Sequence, residues 1–172
     1  MCYNNKKIKE EQEMKMDNEK YIRSLVGHIP MHRPVAVLVI CKDNKVLLQK
    51  REDNGMWALH GGGMELGETY LETLKREMKE ELDIEPINPE LMGIFSGKKM
   101  YHKYEKSKDE VFVLSHAFIC SEYNGEINFS DGEVTNLKWF DIDNLPENIF
   151  HLNKPVLDNL KLYLETKKVI VD

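Results

Sequence analysis

Residues 62–84, GGMELGETYLETLKREMKEELDI, set one glycine, one arginine and several glutamates at fixed intervals along an apolar stripe. Gly62 is followed after five residues by Glu68, then after seven more by Arg76-Glu77, Met78, Lys79 and Glu80-Glu81. Leu71, Leu74, Met78 and Leu82 recur at 3-4-4 spacing, which predicts a helix from about Glu68 to Leu82 that lies on a sheet. Positions three and four apart on a helix are neighbours at about 5–6 Å, so Glu77, Glu80 and Glu81 share a face within reach of one ion. Three clustered carboxylates repel one another, and hard oxygen donors of this kind suit Mg²⁺, with Mn²⁺ as a substitute. Such an ion removes the repulsion, polarises phosphate oxygens and lowers the pKa of a bound water. The glycines Gly61, Gly62 and Gly63 allow the backbone a sharp bend and a close approach.

Gly62, Glu68, Arg76, Glu77, Glu80 and Glu81 match in register the signature of the Nudix box, and the chain resembles the Nudix (MutT-type) hydrolases over about residues 20–160. The resemblance implies an α/β/α sandwich, a mixed β-sheet between helices. It implies a metal-dependent hydrolase that splits a pyrophosphate bond in a nucleoside diphosphate linked to another group, such as a nucleoside triphosphate, a dinucleoside polyphosphate or a nucleotide sugar. By the same resemblance Gly62 offers a backbone carbonyl to the metal, Glu77, Glu80 and Glu81 offer carboxylates, and Glu77 orients or deprotonates the attacking water. Glu68 and Arg76 hold loop and helix in place. An acidic side chain favours the positive end of the helix dipole, so Glu68 belongs at the helix start rather than in its middle. The family often adds an acidic residue from a loop before a late strand. Glu133, six residues before Trp139, is the candidate, with Glu110 and Glu126 as rivals. A homodimer is a family expectation.

Two positions depart from the usual box. Asp83 stands where a glycine commonly ends the helix in the left-handed conformation, which Asp tolerates better than most residues. His60 replaces a proline before the glycines and reads as a partly exposed loop histidine.

Lys98, Lys99, His102, Lys103, Lys106 and Lys108 surround Tyr101 and Tyr104. Basic side chains interleaved with aromatics can hold phosphates and stack a base, which makes Lys99, Tyr101 and Lys103 substrate candidates, and a solvated loop accounts for them as well. In some Nudix subfamilies a tyrosine at about this distance past the box accompanies dinucleoside polyphosphates, and a proline accompanies ADP-ribose. Tyr101 lies 17 residues after Ile84 and no proline stands between Pro89 and Tyr101, which tilts away from ADP-ribose.

The remaining chain fits one domain. Residues 1–18 form a charged extension, residues 1–16 reading as a frayed helix or a tail with Met16 as an alternative start, and residues 19–172 form the hydrolase domain. Tyr21, Ile22, Leu25 and Val26 recur at helical spacing, although a strand through Leu25–Ile29 also fits. VAVLVIC (35–41), a polar turn and VLLQK (46–50) predict a β-hairpin whose first strand is buried on both faces. MWAL (56–59), LMGIFSG, VFVLSHAFIC and NLKWFDI are further strands, with Trp57 in the core and Gly125 and Asp131-Gly132 as turns. Asn153-Lys154-Pro155 begins the last helix as an N-cap and an early proline. No run approaches the roughly 18 apolar residues of a membrane span, and no leader is evident, so a cytoplasmic protein is expected. Cys2, Cys41 and Cys120 show no metal spacing and read as reduced thiols. A net charge of −6 argues against broad nonspecific nucleic-acid binding. That counts against one alternative, an RNA 5′ pyrophosphohydrolase. A second, a nucleotide-sensing module without turnover, is disfavoured by the intact box glutamates and by the lack of a DNA-binding segment before Tyr21 or after Asp172.

Overall fold

Val35 to Cys41 present apolar side chains to both sides of a strand, and both sides find a core. A computed structural model describes residues 18–129 and 132–172, and the expectations for residues 1–17, including Cys2 and Met16, and for Asp131 fall outside them. Helix α1 (Asn18–Val26) leads into β1 (Met31–Lys42) and β2 (Lys45–Arg51), joined by a two-residue turn in which Asp43 and Asn44 both have positive φ. Two consecutive left-handed residues match the twist of the strands they connect. Then come β3 (Trp57–Ala58), β4 (His60–Gly63), α2 (Tyr70–Leu82), β5 (Glu85–Pro86), β6 (Glu90–Phe95), β7 (Tyr101–Lys103), β8 (Glu110–Cys120), β9 (Tyr123–Asn124) and β10 (Val134–Asp141). Helices α3 (Lys154–Asp158) and α4 (Leu160–Thr166) and a short β11 (Ile170–Val171) complete the order.

The sheet runs β10-β2-β1-β8-β6-β11, with β4 paired to β1 and β7 to β8. β1 lies parallel to β8, from Met31 opposite Val111 to Ile40 opposite Cys120, and β2 and β6 are antiparallel neighbours, so the sheet is mixed. Ala36, Leu38 and Ile40 point at α2, while Val37 and Val39 join the layer that holds Val156, Leu157, Leu160 and Tyr163. This is the expected α/β sandwich. Cys41 and Cys120 are free thiols, and burial pushes the Cys120 thiol up to about 11. Trp57 is half-buried, edge-on against Phe140 at 4.8 Å.

Three local expectations are corrected. The α2 stripe consists of Leu74, Met78 and Leu82 with Thr73 and Glu81, whereas Leu71 is 46% exposed. Tyr70, stacked on His116 at 3.6 Å, covers that end of the sheet instead. Leu25 in α1 is 68% exposed, so this helix is held less by its apolar residues than by Arg23, whose guanidinium donates to Ile29 O and Glu110 O and pairs with Asp109. Asn153 makes no side-chain cap, and the expected single last helix breaks at Asn159. The Asn153 Oδ1 accepts from the backbone N–H of Leu59 at 3.1 Å and so fixes the strand that enters the glycine loop.

Candidate active site

Helix α2 is held at both ends by its own sequence. Thr69 is the N-cap and Glu72 completes a capping box, the Thr69 N–H donating to Glu72 Oε2 at 2.7 Å. Together these satisfy two of the orphan donors of the first turn. At the other end Asp83 sits at φ 57°, the left-handed position at which the box usually carries glycine, and its N–H reaches Lys79 O and Met78 O.

The glycine loop is the second half of the site. β4 pairs antiparallel with β1, Gly62 opposite Ala36 and Gly61 opposite Val37. Gly61 has φ +127°, and a Cβ there would lie 2.2 Å from Ala36 O, so a side chain is incompatible with the backbone. At Gly62 a Cβ would lie 2.5 Å from the Glu77 carboxylate, which therefore occupies the space the glycine leaves.

Arg76 ties loop to helix. Its Nε donates to Glu68 Oε1 at 2.7 Å and its Nη2 to Glu68 Oε2 at 2.9 Å and to Gly63 O at 2.9 Å. Its Nη1 bridges Glu77 Oε1 at 2.7 Å and Glu80 Oε2 at 3.3 Å. Glu68 lies just before the N-cap, so the fork-to-fork pair spans loop and helix, a geometry only guanidinium supplies. The guanidinium holds the Glu68 carboxyl down to about 2, and the same bonds raise Arg76.

The three box carboxylates of α2 point to different partners. Glu81 is turned inward and 7% exposed, its Oε2 accepting from Gly61 N at 2.8 Å and its Oε1 from Gln49 Nε2 at 3.0 Å. Glu77 lies against Gly62, and burial pushes its carboxyl up against the pull of Arg76, with the charges of Glu80 and Glu133 adding to the rise. The Glu80 side chain is 60% exposed. As placed, no three of the described Asp, Glu, His and Cys side chains surround one point. The donor set nevertheless suits a hard divalent cation in its chemistry: three carboxylates within five residues of one helix, beside a glycine that one of them packs against.

His60 differs from its expectation: it is fully buried, not a partly exposed loop residue. Its Nδ1 lies 3.0 Å from Gln49 Oε1 and its Nε2 3.2 Å from Leu47 O. Burial holds its pKa down to about 4, so the ring is neutral at physiological pH and carries one N–H between two acceptors. Gln49 and its link to Glu81 escape sequence reading, because a glutamine in a strand carries no motif.

Among the three further acids, Glu133 is the one whose charge reaches Glu77. Glu110 accepts from Tyr101 Oη at 2.9 Å and from Lys103 Nζ at 2.8 Å. Glu126 is exposed in the segment that crosses the C-terminal end of α2, where Asn128 N donates to Leu82 O. Lys99 stands 3.8 Å from Asp172 at the β6–β11 edge of the sheet, apart from the carboxylates. The substrate candidates Tyr101 and Lys103 are thus engaged by Glu110, and Lys99 by the Asp172 carboxylate. A different set rims the loop. Arg33 packs on Gly63 and donates to Tyr104 Oη at 2.8 Å. Tyr104 meets His102, His102 meets Phe150 and His151, and the Arg51 guanidinium covers Phe150 at 4.8 Å. The charge of Glu133 is felt at both Arg51 and Glu77, which returns the rim to the box.

The profile of the NUDIX domain matches residues 31–160 of this chain. An ADP-ribose pyrophosphatase of Methanocaldococcus jannaschii is 34% identical over 151 residues, which cover 86% of this chain and 81% of that protein. An RNA pyrophosphohydrolase of Pelagibacter ubique is 28% identical over 152 residues, covering 78% of this chain and 94% of the relative. Among solved structures, a MutT protein from Bacillus halodurans superposes with a TM-score of 0.61 at 31% identity, over 81% of this chain and 86% of that one.

Proposed function

Because the chain belongs to the NUDIX domain family and is a hydrolase of phosphorus-containing anhydrides, we propose that it is a Mg²⁺-dependent pyrophosphohydrolase of nucleoside diphosphates joined to a sugar or similar group. The observation that carries this reading is the Glu77 carboxylate seated against the Cα of Gly62, on a helix that also presents Glu80 and Glu81. ADP-ribose-like nucleotide sugars stand first. The relative from Methanocaldococcus jannaschii supports them, and the tyrosine hint against them weakens because the Tyr101 hydroxyl is bonded to Glu110.

Water attacks one phosphorus, the P–O–P bond breaks, and two phosphate monoesters leave. The bound ion, held by the Gly62 carbonyl with Glu77, Glu80 and Glu81, would neutralise the diphosphate and polarise its oxygens. Glu77, lifted by burial, takes the role of orienting or deprotonating the water, and Glu133 stands as the further acid. Arg76 and Glu68 hold loop and helix in register. Arg33 donates to Tyr104 and Arg51, paired with Asp53, covers Phe150, so the two order the rim, and Tyr104, His102 and Phe150 offer faces on which a base can stack. No described helix is long and apolar enough to cross a membrane. A cytoplasmic homodimer remains part of the proposal, to be checked by light scattering.

A second reading, hydrolysis of triphosphate RNA ends, draws on the Pelagibacter ubique relative. The test is phosphate release, coupled to a phosphatase that acts only on the products, from ADP-ribose, other nucleotide sugars, dinucleoside polyphosphates, nucleoside triphosphates and triphosphate RNA, with Mg²⁺, Mn²⁺ or EDTA. Metal-dependent turnover of ADP-ribose that disappears in E81Q supports the first reading. Turnover confined to RNA transfers the assignment to the second, and a folded, metal-binding protein inert on every substrate returns it to a sensor.

A further inference from the structure

Three polar side chains from three elements meet beneath the box helix, and each is nearly or fully withdrawn from water: His60 of β4 is 0% exposed, Gln49 of β2 4% and Glu81 of α2 7%. Burying an ionised carboxylate carries a large desolvation cost unless donors meet it, and apolar side chains of similar volume would fill the same space without that cost. The donors here have a fixed arrangement. Gly61 N–H binds Oε2 at 2.8 Å and Gln49 Nε2 binds Oε1 at 3.0 Å, so both oxygens of Glu81 are met by donors. An ionised carboxylate only accepts, so the Gln49 amide must present its nitrogen to Glu81 and its oxygen to His60. Gln49 Oε1 in turn lies 3.0 Å from His60 Nδ1, with Nε2 3.2 Å from Leu47 O, so the Nδ1–H tautomer is the one in which His60 donates to Gln49. In that tautomer donation runs along the whole chain, from His60 through Gln49 to Glu81.

We propose that Gln49, oriented by His60, is a positioning residue that fixes the plane of the Glu81 carboxylate for a divalent cation. The inference rests on the metal role given to Glu81 above. A carboxylate oxygen that accepts one hydrogen bond can still face a cation with its second lone pair. Two donors on two oxygens remove the torsional freedom of the carboxylate, so it need not be ordered when the ion arrives. The same link accounts for the histidine at the position where the box usually has proline: a proline has no side-chain donor with which to orient Gln49. Outer partners of this kind typically change metal affinity by about 10–100-fold when removed.

The test measures Mn²⁺ binding to folded, substrate-free protein by the electron paramagnetic resonance of the unbound ion, with E81Q setting the scale. Q49M keeps volume and loses the donor, and Q49N keeps the amide but shortens its reach, so a folded variant is available if one of them is unstable. The proposal expects Q49M and Q49N to weaken Mn²⁺ binding about 10–100-fold. It also expects the Mn²⁺ requirement for half-maximal turnover to rise in parallel and kcat to recover at saturating metal. H60Q, which retains a side-chain donor, should recover part of the affinity relative to H60L. Wild-type Mn²⁺ affinity in the glutamine variants, with E81Q impaired, would overturn the positioning role and leave Gln49 as a packing residue. Wild-type affinity in E81Q as well would overturn the metal reading of Glu81 and this inference together.

Discussion

The glycine loop with α2 and the hairpin from Lys98 to Glu110 are both dense in charge, yet they manage it in opposite ways. In the first, Arg76 gathers Glu68, Glu77, Glu80 and the Gly63 carbonyl around one guanidinium, and Glu81 turns inward to Gly61 and Gln49. In the second, Lys103 and Tyr101 converge on Glu110 along the β7–β8 ladder, and Lys108 pairs with Glu105 at the surface. Charge in the box is organised across elements toward a site. In the hairpin it is neutralised between near neighbours. Helical spacing fixes which residues are adjacent before the chain folds, whereas a cluster read from composition leaves open which carboxylate each lysine meets.

Substitutions separate the two regions. E81Q should reduce turnover by about 100-fold or more in a coupled phosphate assay while folding is retained, since the amide keeps the shape and loses the charge. R76A should cost about 2–4 kcal/mol in urea denaturation, somewhat below a fully buried pair because the arginine side chain is 22% exposed, and it should lower activity as Glu77 and Glu80 lose their bridge. G62A should lower kcat by about tenfold with little change in Tm: the new Cβ meets only the far end of the Glu77 side chain, which can swing aside at the expense of its position. G61A is the internal contrast, because its Cβ would meet the Ala36 backbone and destabilise the fold itself.

Acid titration sharpens the difference. Glu68 titrates at about 2 in the fold against an ordinary 4.5, so its contribution to stability is full above pH 4.5 and is lost as pH falls toward 2. The urea midpoint of the wild type should therefore fall between pH 4.5 and 2 more steeply than that of E68Q. Glu110 is also lowered, chiefly by Lys103, but its ion pair is open to solvent and salt, so E110Q should leave that slope nearly unchanged. The smallest effect is expected for K103A, with a urea midpoint close to that of the wild type and a change below about twofold in KM for ADP-ribose. A tenfold rise in KM would return Lys103 to the substrate.

The same contrast explains what the sequence disclosed. The box helix, the β1–β2 hairpin and the doubly buried β1 follow from periodicity and turn chemistry, and the structure has all three. The left-handed Asp83 follows from the resemblance, which places it where the box commonly ends its helix on glycine. What escaped depends on contacts between elements. Nothing local in LLQK announces that Gln49 will lie under Glu81, or in HGGG that His60 will be its partner. Leu71 fits the stripe by spacing but lies in the first turn, where Tyr70 does the covering. Asn153 has the residue type and position of an N-cap, and tertiary demand at Leu59 takes its side chain.

That bond from Asn153 to Leu59 also bears on the order in which the protein is made. The two residues are 94 positions apart. Closing so long a loop is entropically unfavourable until other contacts support it, and distant pairings form late. On a ribosome, the box helix and the first hairpin can form while the segment that anchors the glycine loop is still being translated. Strand β3 also waits for that segment, since Trp57 N donates to Asn148 O and Phe150 N to Trp57 O. The nascent chain would therefore carry its carboxylates before it carries a fixed loop for them to face, and catalytic competence would arrive only once residues 148–153 have been made.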